Sequence, residues 1–157
     1  MTNAPLTQAT VLPGNLLRRC HQISVAIFLR QCAAHGLTQL QYITLCALEE
    51  WGEIDQITLG RHTALDRNTV AVVVRKLEER GLVTRRRNPE DRRSMLVTLT
   101  VEGERLRQRA EPTVAEVQEA ILAPLDDAER ETLCRLLQRV ADENNSLSRV
   151  PLHHAGG

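Results

Sequence analysis

From Asp66 to Gly81 the apolar side chains recur with a helical period, and directly beyond Gly81 the period becomes that of a strand. Val70, Val73, Val74 and Leu77 fall at i, i+3, i+4 and i+7, a single stripe. Asp66 stands where an N-cap belongs, its carboxylate offered to the first free N–H groups, and Gly81 supplies the left-handed residue that ends the helix. By composition alone VAVVV is a strand, because β-branched residues cost helix stability. The stripe, the cap and the LEERG ending decide for helix. LVTRRR and SMLVTLT then read as two short strands joined by a turn at Asn88 and Pro89.

Charge says what this helix and hairpin face. From Arg61 to Arg93 ten basic side chains stand against five acidic ones, +5 in a chain whose net charge is zero. Five of those arginines lie in or beside the hairpin, where they point away from any core. A charged surface helix beside a solvated hairpin is the plainer alternative, but it gives no reason for this concentration. A duplex does: the major groove admits the helix, and the hairpin reaches phosphates and the neighbouring minor groove. The expected fold is mainly α, a winged helix-turn-helix with a two-stranded β wing and N- and C-terminal dimerisation helices.

The run DRNTVAVVVRKLEERGLVTRRRNPEDRRSMLVTLTVEG resembles the recognition helix and wing of MarR-type transcriptional regulators. Their wing carries Asp-x-Arg at its tip and a strand ending in Leu-Thr-x-x-Gly; here these are Asp91 and Arg93, then Leu99, Thr100 and Gly103. In architecture the similarity runs from about Asn15 to Leu147. It implies a two-fold dimer on a pseudo-palindrome, and Arg93 as the family's minor-groove arginine with Asp91 holding its guanidinium.

At 157 residues the chain is expected to form one domain, 1–157, with 15–35 and 101–147 as dimerisation helices and 37–100 as the winged helix-turn-helix. Met1 to Leu12 reads as an irregular arm. A first helix from Asn15 to His35 closes at Gly36 and is apolar on more than one face. Leu37 and the capping box Thr38–Gln41 open a second helix, ended by Gly52. Ile54 suits a short strand against the wing. Asp55 caps a third helix with Ile57 and Leu59 inward and Gly60 at a close crossing. Ala64 stands where such turns often carry glycine, which implies a somewhat different turn. Thr100 caps a long helix with a kink expected at Pro112, and Asp126–Glu129 is a second capping box before a last helix bearing Leu133, Leu136, Leu137 and Val140. Arg149 to Gly157 reads as a loose tail. The apolar faces of the first and last helices are wider than one small domain covers, which also points to a second copy of the chain.

Individual roles follow from direction. Asn68 and Arg75 are placed for base edges, Asn for adenine and Arg for guanine. Val72 faces outward and either meets a thymine methyl or faces protein. Arg67 and Thr69 suit phosphates near the helix start, as do Arg86, Arg87 and Arg92 in the wing.

MarR-type regulators often bind small aromatic acids between the dimerisation helices and the DNA-binding lobe. The resemblance leans toward regulators of benzoate-, coumarate- or hydroxynicotinate-type breakdown. Candidate ligand residues are Arg18, His21, Ser24 and Phe28 on the first helix and Tyr42 on the second; the plainer reading makes Phe28 and Tyr42 core and His21 an interface histidine. The expected function is a homodimeric repressor released from double-stranded operator DNA by a small aromatic acid, working in the cytoplasm without cofactor or metal.

Two rivals remain from other classes, a thiol switch at Cys20, beside Arg18 and Arg19, and a DNA-bridging protein without a ligand. Cys32 and His35 share a helix face, but Cys20 and His21 lie roughly 18 Å away along that helix, so a zinc site needs partner chains. No nucleophile motif or glycine-rich phosphate loop suggests an enzyme. No apolar run approaches the roughly 20 residues of a membrane span.

Overall fold

The computed structural model describes residues 6–152. The order is α1 (Leu6–Ala9), α2 (Pro13–Gln31), a 3-10 turn (Cys32–His35), α3 (Gln39–Trp51), β1 (Ile54–Asp55), α4 (Gln56–Thr63), α5 (Arg67–Glu79), β2 (Val83–Arg87), β3 (Met95–Leu99), α6 (Val101–Leu122) and α7 (Asp127–Glu143). The strands form one antiparallel sheet ordered β1-β3-β2, with Arg85 opposite Val97 and Ile54 on the other flank of Val97. Ile54 thus joins the wing as the sequence suggests.

Local signals account for most boundaries. Thr38 Oγ1 accepts from Gln41 N–H and Gln41 Oε1 accepts from Thr38 N–H, closing the expected box. Asp126 and Glu129 do the same for α7. Asp55 and Asp66 each cap a helix in one pattern. Each Oδ1 takes two backbone N–H groups, and each Oδ2 takes the hydroxyl of the threonine three residues on. α5 closes with Leu82 N–H on Leu77 O and Gly81 N–H on Glu78 O, and Gly81 at φ 69°.

The Leu-Thr-x-x-Gly motif has a physical basis here. Thr100 Oγ1 donates to Gly81 O and accepts from Gly103 N–H, binding the start of α6 to the end of α5. A Cβ on Gly103 would come within 2.1 Å of Leu82 O, so only glycine allows this approach. Gly60 also meets the turn closely, 2.7 Å from Leu65 O for an added Cβ.

The main core gathers Leu45, Leu48, Leu59, Val70, Val74, Leu77, Leu82, Val83, Val97 and Leu106, so the α5 stripe sits at its centre. A second cluster of Phe28, Cys32 and Val117 packs α2 against α6. α7 has no buried residue, and Leu136, Leu137 and Val140 stay exposed. Leu16, Leu17 and Ile23 of α2 are exposed as well.

Several expectations need correction. Of the arm, 1–5 lie outside the described residues and Leu6–Ala9 is helical rather than irregular. α2 starts at Pro13, a proline in the first turn, and its last turn tightens to 3-10 before Gly36. Ile57 is 57% exposed, because α4 turns Leu59, Gly60 and Thr63 inward and Ile57 lies off that face. Ala64 adopts φ 53°, ψ 33°, the same left-handed geometry a glycine would take. Pro112, as expected, does not end α6, which continues to Leu122. The tail is pinned as far as it is described: Asn145 donates to Leu152 O and accepts from Leu152 N–H.

Candidate nucleic-acid interface and the cleft behind it

On the outward side of α5, Arg67, Asn68, Val72 and Arg75 are exposed, as their spacing predicts. Arg75 touches Glu79 only at 3.9 Å. Thr69 is half-buried and its hydroxyl donates to Asp66 Oδ2 at 2.7 Å, so it serves the cap. That bond, then the N–H groups of Thr69 and Asn68, hold the Asp66 carboxyl below the usual range.

The wing arginines divide into held and free. Arg85 is bound to Glu78 of α5, which ties the first wing strand to the recognition helix. Arg86 is held by both oxygens of Glu53, thirty-three residues earlier, and Glu53 also accepts from Thr98. In the DNA-free chain its charge is thus matched by a carboxylate rather than free. Arg87, Arg92 and Arg93 are exposed and make no ion pair among the described residues. Asp91 acts on Arg93 through the backbone: its Oδ1 accepts from Arg93 N–H at 3.0 Å, and its carbonyl takes Ser94 N–H at 2.9 Å. The loop is shaped by Asp91, and the guanidinium is left open rather than clamped.

Behind α5 lies an open, mainly apolar cleft of about 530 Å³. Its walls are His21, Val25 and Leu29, one face of α2; Thr38 to Gln41 at the start of α3; and Asn68, Thr69, Val72, Val73 and Lys76 of α5. Val72, 43% exposed, thus looks into this space, which explains an outward valine without invoking DNA. His21 and Lys76 are the ionisable groups in the lining.

The structure separates the five candidate ligand residues. His21 lines the cleft. Arg18 is turned to Asn15 and Gln22, and Ser24 Oγ donates to His21 O within α2. Phe28 is 1% exposed, and its ring lies 6.3 Å from that of Tyr42 in the second cluster. Burial first, then Cys46, pushes the Tyr42 hydroxyl up to about 12. Sequence reasoning missed Val25, Leu29, Leu40 and Lys76. The first two share the i, i+4, i+8 face begun by His21, a signal that was present.

Cys20 and Cys134 are exposed; burial raises the thiols of Cys32 and Cys46, away from the thiolate a redox switch uses. Cys32 is enclosed in the Phe28 cluster, and His35 Nε2 meets Thr113 Oγ1 at 3.1 Å, so neither is presented to a metal. His153 and His154 lie outside the described residues. Among the described residues no helix is long and apolar enough to cross a membrane.

A model described as the MarR family matches residues 37–95, α3 through the start of β3. The chain is 35% identical over 133 residues to the HTH-type transcriptional repressor NicR of Pseudomonas putida, covering 85% of this chain and 84% of that one. Among solved structures it resembles Bordetella bronchiseptica BpsR, whose DNA binding is regulated by 6-hydroxynicotinic acid. The TM-score is 0.77 at 36% identity, over 82% of this chain and 98% of that one. It resembles equally the transcriptional regulator PcaV of Streptomyces coelicolor in complex with its natural ligand, with a TM-score of 0.79 at 36% identity over 90% and 98%.

Proposed function

Because this chain belongs to the MarR family, we propose that it is a homodimeric, sequence-specific transcriptional repressor that leaves its operator when a small aromatic carboxylic acid enters the cleft. The observation that carries this is a shared wall. Asn68 and Val72 stand on the recognition helix and line the cleft at once. An occupant therefore touches the DNA-reading element directly, and a differential affinity of about 1–3 kcal/mol between free and DNA-bound arrangements changes occupancy severalfold or more.

The chemistry of the cleft suits such a guest. Val25, Leu29, Leu40 and Val73 offer a surface for a ring, and Lys76 or His21 a donor for a carboxylate. The volume falls in the ordinary range for small-molecule sites. Regulation of BpsR by 6-hydroxynicotinic acid puts hydroxylated heteroaromatic acids first among the guests to try.

On the duplex, Asn68 and Arg75 read base edges, Arg93 enters the minor groove, and Arg67, Arg87 and Arg92 meet phosphates. The exposed apolar residues of α2 and α7 are buried between two copies. Two recognition helices then reach half-sites about 10 base pairs apart. Such a protein works in the cytoplasm, where its DNA is.

Binding to the gene's own upstream duplex, titrated with 6-hydroxynicotinic, benzoic and cinnamic acids, tests the reading. Release by one acid at micromolar levels is expected. Specific binding that no acid relieves would overturn the ligand, and absence of sequence preference would leave a DNA-bridging protein.

A further inference from the structure

Arg80 joins the elements that a dimeric repressor must keep in register. It is the residue at which α5 ends. Its Nη1 donates to Gly36 O at 2.7 Å and its Nη2 to His35 O at 3.2 Å. Those carbonyls close the helical run made by α2 and the 3-10 turn, and the last carbonyls of a helix have no partners of their own. A guanidinium there satisfies both and sits at the negative end of the helix.

The same turn is also held by α6. His35 Nε2 meets Thr113 Oγ1 at 3.1 Å, on α6. Four residues of 3-10 turn therefore tie α2, α5 and α6 together. The cleft separates α2 from α5 along Asn68 to Lys76, whereas Arg80 fastens the far end of α5 to the end of α2. The recognition helix is thus pinned at its C-terminus and flanked by open space from Asn68 to Lys76.

We propose that Arg80 is a positioning residue: it sets the angle of the recognition helix against the dimerisation helices, and so the distance between the two reading heads, without touching DNA. This rests on the dimeric-repressor reading. Unlike Arg87, Arg92 and Arg93, its guanidinium is committed to two carbonyls and is not spare for phosphate.

The test compares full-length wild type, Arg80→Ala and Arg80→Lys on four duplexes: the operator, a random sequence, and operators with one base pair added or removed between half-sites. Each base pair moves a half-site by about 3.4 Å. Wild type should bind the operator specifically and lose affinity when spacing changes. In Arg80→Ala operator affinity should fall about fivefold or more, affinity for random duplex and the salt slope should stay, and the spacing penalty should shrink. Arg80→Lys, able to hold one carbonyl, should fall between. If Arg80→Ala fails to fold, a reduced spacing penalty in Arg80→Lys still supports the proposal and a full penalty overturns it. Equal loss on operator and random duplex, with a slope flatter by about one, would make Arg80 a phosphate contact and overturn it. A wild-type spacing penalty retained in Arg80→Ala would overturn it too, leaving the repressor reading intact. A wild type with no operator preference would overturn both.

Discussion

The Glu53 carboxylate grips the Arg86 guanidinium with both oxygens, and its Oε2 also accepts from Thr98 Oγ1 at 2.9 Å. The Arg86 bond, then that from Thr98, holds the Glu53 carboxyl below its usual range. The pair is exposed, so it adds little stability; its effect is on the charge available to DNA. Glu53→Gln should free Arg86, tightening binding to random duplex and steepening the salt dependence by about one unit of slope. An unchanged slope would show that Arg86 stays out of reach of phosphate. Anisotropy over a salt series reads it.

Arg87 and Arg93 should behave differently from each other. Arg87→Ala should weaken operator and random duplex alike and flatten the slope by about one. Arg93→Ala should weaken the operator more than random DNA while leaving the dimer intact by sedimentation, as expected of a side chain in a groove. Unchanged operator affinity in Arg93→Ala would remove the wing tip from recognition.

Ala64, at φ 53°, is the one non-glycine at positive φ among the described residues. The left-handed conformation costs an L-residue roughly 1–2 kcal/mol, part of which glycine gives back through its freer unfolded chain. Ala64→Gly should therefore raise stability by about 0.5–1 kcal/mol, seen as a higher urea midpoint at constant slope. A lower midpoint would mean the methyl group has packing value at the turn.

What the sequence makes legible here is mostly local. The α5 stripe, the Asp66 and Asp55 caps and the capping boxes depend on residues three or four apart, and the structure has each of them. Position along a helix axis is harder. His21 and Phe28 are two turns apart on one face of α2, but the Phe28 end crosses α6 and is enclosed, whereas the His21 end looks into the cleft. Hydropathy does not mark where another helix crosses. Nor does it pair Arg86 with Glu53, because that bond depends on the α3–β1 loop lying beside the wing. Ile57 misleads for a related reason: in the eight residues of α4 too few apolar positions exist to define a face.

Acid should unfold the protein through its caps. Asp66 is lowered by the Thr69 hydroxyl first; for Asp55, burial raises the carboxyl, but the bonds from Thr58 and Ile57 together prevail and lower it. A carboxylate with a depressed folded pKa contributes stability fully above its unfolded pKa, about 3.9, and loses it as pH falls through the folded value. Stability should thus be flat with respect to these groups above about pH 5 and fall below it. Asp66→Asn should be less stable at neutral pH and show a shallower acid decline in urea midpoints. An identical decline in the variant would assign the acid sensitivity elsewhere.

The most direct test of ligand gating fills the cleft. Val25 lines it on the α2 side, away from the DNA-facing residues, and Val25→Trp would occupy the space a ring requires. Wild type and Val25→Trp, each bound to the labelled operator, would be titrated with 6-hydroxynicotinic acid and its benzoic and cinnamic counterparts. One acid should release the wild type, whereas Val25→Trp should bind the operator but need at least about tenfold more of that acid, a loss of about 1.4 kcal/mol. Release of both proteins at the same concentration would contradict it, and would place the effector outside the space between α2 and the recognition helix.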